Sequence, residues 1–329
     1  MTNIGIVTGL EVFFYEVFAE EEGMLRRHLP ADLRAGFSPA TIQEHGSPRP
    51  PARLISIRTQ SIVPFEWAGL LDGILARATG HDVLTRYRES TRSHIPCGYL
   101  PLYCARAVAE QAMLLWMALL RKLPRQIQQF ATFDRDGLTG RECEHKHLLV
   151  VGVGNIGSEA VKIGQSLGMA VRGVDIKQRE PSVSYVSKEQ GLPWADIIVC
   201  AMNLTADNVA YFNFSSLKHC KRGAIFVNVA RGEMSPAADL LRLLDEGHLG
   251  GVGLDVFDQE PMLATALRTG QAAPAENIRF TLELARRPDV ICTPHNAFNT
   301  VESVERKALQ SAQQVEYFLK NGKFFWRIP

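Results

Sequence analysis

One short run constrains this chain more than any other. Gly152-Val153-Gly154-Asn155-Ile156-Gly157 is a G-x-G-x-x-G placed between the apolar run Leu148-Leu149-Val150-Val151 and a helix-like segment from Ser158 to Leu167. A lone match to this pattern is weak, but the context here is ordered. An acid, Asp175, follows the last glycine by 18 residues, at the end of Ala170-Val171-Arg172-Gly173-Val174. Strand, glycine turn, helix, strand and acid together make a dinucleotide-binding unit. Gly152 permits the tight turn, Gly154 lets a pyrophosphate approach the backbone, and Gly157 lets helix and strand pack closely. The N–H groups at the helix start, from Asn155 and Ile156 onward, then face the diphosphate. Asp175 is placed to accept from ribose hydroxyls, which favours NAD. Lys177 and Arg179, just beyond it, pull toward a 2′-phosphate.

The surrounding chain supports a parallel sheet. Leu148–Val153, Ala170–Asp175, Asp196–Ala201, Ala224–Asn228, Gly251–Asp255 and Asp289–Thr293 are apolar, strand-like runs with helix-like stretches between most of them. Such alternation implies a doubly wound α/β sheet. The first hundred residues alternate in the same way. Ile4–Val7, Leu54–Ile57 and Gly73–Ala76 read as strands, Val17–Leu29 as a helix, and the proline-rich 47–52 as a loop. Arg106–Lys122 is strongly helical and apolar nearly all round, so it is expected to be buried. The last helix, Glu302–Lys320, is expected to return to the first domain. At 329 residues the chain exceeds what one core usually holds.

Composition excludes several classes. A net charge of +1 gives no global field for nucleic acid or an anionic membrane. The longest apolar stretch, Ala105–Leu120, is interrupted by Arg106, Glu110 and Gln111 and is too short for a convincing span. The acidic N-terminal region does not read as a signal peptide. Six scattered cysteines without metal spacing suggest a reducing, cytoplasmic setting, with no metal expected.

Three polar side chains follow strand-like runs: Arg231 after Asn228-Val229-Ala230, Glu260 after Asp255, and His295 after Thr293-Pro294. Ligands in open α/β sheets bind at the carboxyl ends of strands. Each residue alone has an ordinary surface or turn reading. Together they suit one task. Arginine clamps a carboxylate through two hydrogen bonds, histidine moves a proton near neutral pH, and a neighbouring glutamate favours the protonated ring and fixes its tautomer.

From about Leu71 to Phe298 the chain resembles the D-isomer-specific 2-hydroxyacid dehydrogenases. The matching pieces are residues 105–110, 151–157, 228–232, 254–261 and 293–298, and the run His295–Thr300 is most similar to the D-lactate dehydrogenase branch. The resemblance implies two Rossmann-like domains with an interdomain active-site cleft, usually in a homodimer. A substrate-binding, flavodoxin-like domain would span 1–104 plus 297–329, and an NAD-binding domain 105–296. It also implies hydride exchange between NADH and a small 2-keto acid, giving the D-2-hydroxy acid. Arg231, Glu260 and His295 would be catalytic. Val229, Ala230 and Asp255 would join Gly152, Gly154, Asn155, Ile156, Gly157 and Asp175 at the cofactor. Arg77, Ala78, Thr79, Gly80, Tyr103 and Phe298 would contact substrate. Two features depart from common members: Asn203 stands where many have proline, and Met262–Pro288 is long. A dinucleotide-sensing corepressor on the same core, or a relative acting on phosphoglycerate or another hydroxy acid, is the competing reading.

Overall fold

The computed structural model describes residues 9–270 and 275–329. It divides into two compact units, Met1–Cys104 with Asn299–Pro329, and Ala105–Phe298. The chain rejoins the first unit two residues later than the expected 297. Ala297 explains part of this, because its N–H donates to Asp255 in the second unit.

The first unit is a five-stranded sheet: β1 (Val12–Phe14), β2 (Ala35–Phe37), β3 (Leu54–Ile57), β4 (Gly73–Ala76) and β5 (Cys97–Gly98). Its order is β2-β1-β3-β4-β5, with every pair parallel. Buried throughout, β3 and β4 are apolar but for Ser56, whose hydroxyl donates to the Leu75 carbonyl, and are therefore legible in sequence. The expected strand Ile4–Val7 lies outside the described residues. The strand β1, unforeseen, pairs between β2 and β3. Helix Val301–Asn321 belongs to this unit and packs along helix Ala19–His28. Thr300 caps its start by accepting from the Ser303 N–H.

These two helices bury an ionic triad. Glu21 accepts from Arg77 Nε at 3.0 Å and lies 2.9 Å from Lys307 Nζ, and all three side chains are fully buried. Burial drives the Glu21 carboxyl up, but Arg77 and Lys307 overcome this and hold it down at about 2. Burial lowers Lys307 to about 7. The signs differ in their consequence. The stability that ionised Glu21 contributes is present above the ordinary carboxylate range and is lost as pH falls toward about 2. Lys307 loses its proton in the folded state before it does so in the unfolded chain. Its contribution therefore grows as pH rises from about 7 toward the ordinary lysine range. Glu21→Gln leaves the buried Arg77 guanidinium without its counter-charge and drives Lys307 to give up its proton, and is expected to cost ~3–5 kcal/mol. Urea unfolding of the variant at neutral pH checks this, and a loss under about 1 kcal/mol would contradict the triad's structural role.

The second unit is a seven-stranded parallel sheet: β6 (His147–Val151), β7 (Ala170–Val174), β8 (Ser184–Tyr185), β9 (Ile197–Cys200), β10 (Ala224–Asn228), β11 (Leu249–Leu254) and β12 (Val290–Cys292). Its order is β12-β11-β10-β9-β6-β7-β8. Helix Ala105–Leu120 packs on β10 and β11 of this sheet and on helix Asn155–Ser166, with Leu119 against Gly251 and Leu115 against Gly253. It is not covered all round in its own unit: Arg106, Glu110 and Leu114 form an exposed stripe four residues apart. Among the described residues no helix is long and apolar enough to cross a membrane.

Candidate active site

Register places the site. Val174, Val151, Cys200, Asn228, Leu254 and Cys292 sit side by side across six neighbouring strands of the second unit. The residues just beyond that rank therefore gather along one edge of the sheet. They include Asp175 after β7, Gly152 after β6, Arg231 after β10, Asp255 and Glu260 after β11, and His295 after β12. The strand order, not the strand direction, reverses between β6 and β9, so the glycine turn leaves the sheet at the topological switch point.

The glycine turn fits a dinucleotide. Gly152 holds φ +92°, and a Cβ there would lie 2.6 Å from the Met202 N. A Cβ on Gly157 would come within 1.9 Å of the Gly152 carbonyl oxygen, so this glycine is required for the helix to start where it does. Gly154 faces open space and caps helix Asn155–Ser166 without a side-chain hydrogen bond. That leaves helix-start N–H groups for an anion. Asp175 also braces the turn: one oxygen accepts from Val153 N at 2.6 Å and the other from Lys177 N at 2.8 Å. Each oxygen retains a lone pair for a ribose hydroxyl. Lys177 and Arg179 are exposed. Val229 and Ala230 are buried at the end of β10.

The histidine and glutamate meet. His295 Nδ1 lies 2.8 and 2.9 Å from the two Glu260 oxygens, with both side chains largely buried. Nδ1 donates in this arrangement, which leaves Nε2 as the nitrogen that exchanges a proton with a ligand. Glu260 opens helix Glu260–Thr269 directly after Gln259, which is left-handed at φ +54°. His295 is itself left-handed at φ +51°, an uncommon state for a residue with a Cβ.

Asp255 holds that conformation. It is fully buried and accepts from Thr293 Oγ1 at 2.5 Å, Asn296 N at 2.9 Å and Ala297 N at 2.8 Å. Burial raises its pKa, against the pull of these three donors and of His295. Its side chain thus faces the loop on either side of His295, where the sequence suggested a place at the cofactor. Arg231 follows a comparable device. The buried Asn228 side chain donates to the Arg231 carbonyl at 2.8 Å and accepts from Ala230 N at 3.0 Å. Gly232 lets this turn press against β11's extension, since a Cβ there would lie 1.9 Å from the Phe257 carbonyl carbon. Arg231 is half-buried, and its Nη1 donates to the Ala230 carbonyl at 2.8 Å. Sequence reading gave Asn228 and Thr293 no role. A polar residue ending an otherwise apolar strand is the signal that could have found them.

The substrate candidates of the first unit have mixed placements. The Arg77 side chain turns inward to Glu21, Ser56 Oγ and the Tyr15 carbonyl, so what this turn presents is Ala78, Thr79 and Gly80. Thr79 Oγ1 lies 3.1 Å from Cys104 Sγ. Tyr103 is buried, with its phenol pKa driven well up, and its carbonyl accepts from Arg306 Nε at 2.9 Å. Phe298, in the second unit, is buried.

A parallel sheet whose edge combines a dinucleotide turn with an arginine and a paired histidine defines a nicotinamide-dependent dehydrogenase. The comparisons agree. Residues 113–297 match the model of the D-isomer specific 2-hydroxyacid dehydrogenase NAD-binding domain. The D-lactate dehydrogenase of Streptococcus agalactiae is 32% identical over 240 residues, covering 70% of this chain and 71% of that one. A D-specific alpha-keto acid dehydrogenase of Enterococcus faecalis is 30% identical over 200 residues, 60% of this chain and 61% of that one. The crystal structure of D-lactate dehydrogenase from Aquifex aeolicus, complexed with NAD and lactic acid, superposes with a TM-score of 0.84 at 27% identity, covering 96% and 99% of the two chains. The chain belongs to the D-isomer specific 2-hydroxyacid dehydrogenases, on the side of the D-lactate enzymes, and is an NAD-dependent oxidoreductase.

Proposed function

We propose that Arg231, Glu260 and His295 carry the reduction of a 2-keto acid to the D-2-hydroxy acid. Arg231 binds the substrate carboxylate and polarises the keto oxygen; within the first unit, the backbone N–H groups of the Ala78–Gly80 turn are the carboxylate donors. His295 gives its Nε2 proton to that oxygen, and Glu260 keeps the ring in the tautomer and orientation that allow it. The hydride is the chemistry that a bound NADH supplies. Arginine and imidazolium together offset the charge that grows on oxygen. The observation that carries this reading is the two-oxygen contact of Glu260 with His295 Nδ1. Loss of NADH absorbance with a panel of 2-keto acids, followed by chiral analysis of the product, tests it. An L product, or no turnover of any member, overturns it.

NAD(H) is preferred over NADP(H). Asp175 stands at the strand end, and a carboxylate there repels a 2′-phosphate, whereas exposed Lys177 and Arg179 lie in the turn beyond. Asp175→Ser is expected to raise kcat/KM with NADPH and lower it with NADH. Equal use of both cofactors by the parent enzyme would show that the basic pair prevails.

The chain works as a homodimer in the cytoplasm. Support for the first comes from Ile127, Phe130 and Phe133, which are 68%, 75% and 79% exposed within seven residues. So dense a strip of large apolar side chains suits a second copy better than water. Sedimentation velocity should give a dimer, and Phe130→Asp with Phe133→Asp a monomer. A parent monomer at micromolar concentration contradicts this. Six free thiols support the reducing compartment.

A further inference from the structure

The first unit carries a group of charges that the reaction leaves unused. At the carboxyl edge of its sheet, the segments after β1, β3 and β4 bring together Glu16, Phe18, Arg58 and Arg77, joined by Glu21 and Lys307 from the two helices. Glu21 is held between Arg77 and Lys307. The Phe18 ring has two cations near it: Lys307 Nζ lies 4.9 Å and Arg58 Cζ 5.4 Å from its centroid. The Glu16 carboxylate is turned onto backbone, accepting from the N–H groups of Arg58, Gln60 and Ser61 at 2.8, 2.9 and 3.2 Å. Of the three cations, Arg77 and Lys307 are fully buried, while Arg58 is half-buried and within reach of a small solute.

Topology gives this arrangement a direction. The chain passes from β1 to β2 on one side and to β3 on the other, so the switch point of this sheet lies between β1 and β3. Ligands of open parallel sheets bind outside the carboxyl ends of the strands at that point. Phe18 and Arg58 flank it. The Ala78–Gly80 turn leaves β4, the strand next to β3. Neighbouring strands are on the order of 5 Å apart. That is about the distance between the two carboxylates of a four- or five-carbon dicarboxylic acid.

We propose that the substrate is a 2-keto acid whose side chain bears a second anionic group, and that Arg58 reads that group. This rests on the reading that the Ala78–Gly80 turn receives the first carboxylate. An apolar ring beneath a guanidinium fixes its plane and lowers its hydration. This favours a two-pronged hydrogen bond to a carboxylate over a contact with an alkyl side chain. Arg77 and Lys307 add positive potential from below without touching the ligand, and Glu21 tempers it.

Two measurements decide the matter. The first is kcat/KM with NADH for oxaloacetate and 2-ketoglutarate against the neutral 2-ketobutyrate and 2-ketopentanoate, in the parent and in Arg58→Gln. The parent should favour a dicarboxylate by at least ~10-fold, and the variant should lose ~10–100-fold on dicarboxylates while changing little on neutral acids. The second is calorimetric binding of D-malate and D-2-hydroxybutyrate to the NAD-saturated protein, which needs no turnover. Efficient use of neutral acids with no dicarboxylate preference would leave the dehydrogenase reading standing and overturn this one. So would an equal loss on both classes in Arg58→Gln, which would mark Arg58 as a cover for Phe18. Arg58-dependent binding of D-malate without reduction of any keto acid would uphold the charge recognition and overturn the reaction. If D-malate binds no better than D-2-hydroxybutyrate, the inference fails whatever the turnover.

Discussion

His295→Gln is expected to lower the rate of keto-acid reduction by ~10²–10⁴, the usual share of a positioned general acid. Glutamine can still donate a hydrogen bond but cannot release and regain a proton near neutral pH. The loop should survive the change, because its anchor is Asp255, which accepts from Thr293 Oγ1 and from the backbone N–H groups of Asn296 and Ala297. The left-handed backbone at this position is no easier for glutamine than for histidine, so a modest loss of stability can accompany the change. NADH affinity should hold, since the glycine turn and Asp175 leave β6 and β7, on the far side of β9 and β10. Stopped-flow single turnover separates the two quantities. A variant with near-parental turnover would remove His295 from the chemistry. A parallel loss of NADH binding would make it a structural residue.

The second unit is largely legible in the sequence, and the reason is physical. Its interior strands β6, β9 and β10 are covered on both faces, so apart from His147 and Asn228 at their ends they are written as apolar runs, and their ends fall within a residue or two of expectation. The first unit is harder. Its β1 is three residues long and β2 is Ala-Gly-Phe, too short for periodicity to register. Arg231, Glu260 and His295 were findable because each is a polar residue just beyond an apolar strand. Two assignments needed three dimensions. Arg77 sits in the turn the sequence marked, yet its side chain turns inward because its partner Glu21 lies 56 residues earlier. Asp255 follows β11, yet its three donors come from a loop about forty residues later. Contacts between segments so distant leave no local pattern.

Arg231→Lys should sharply lower kcat/KM for keto acids, by ~10²-fold or more, with little change in NADH affinity. Lysine keeps the charge, so any role as a distant positive potential would survive. What it loses is the planar fork that holds both carboxylate oxygens and leaves a further N–H for the keto oxygen. Two charge-assisted hydrogen bonds at ~1.5–3 kcal/mol each set the scale, and replacing the fork with one ammonium recovers part of it. The turn itself is secured by Asn228, whose contacts are with the Arg231 carbonyl, Ser235 and Ala230 N rather than with the guanidinium. The substitution therefore changes the chemistry presented and leaves the backbone that presents it. Comparing kcat with KM adds a discriminating detail. If Arg231 only binds the carboxylate, KM should rise while kcat is retained. If it also polarises the carbonyl, kcat should fall as well. Oxamate gives an independent readout, as a carboxylate ligand that is not reduced. Its binding to the NADH complex should weaken in the lysine variant to a degree that matches the KM part of the loss. Parental kcat/KM in Arg231→Lys would show that charge alone suffices and that the two-pronged clamp is wrong.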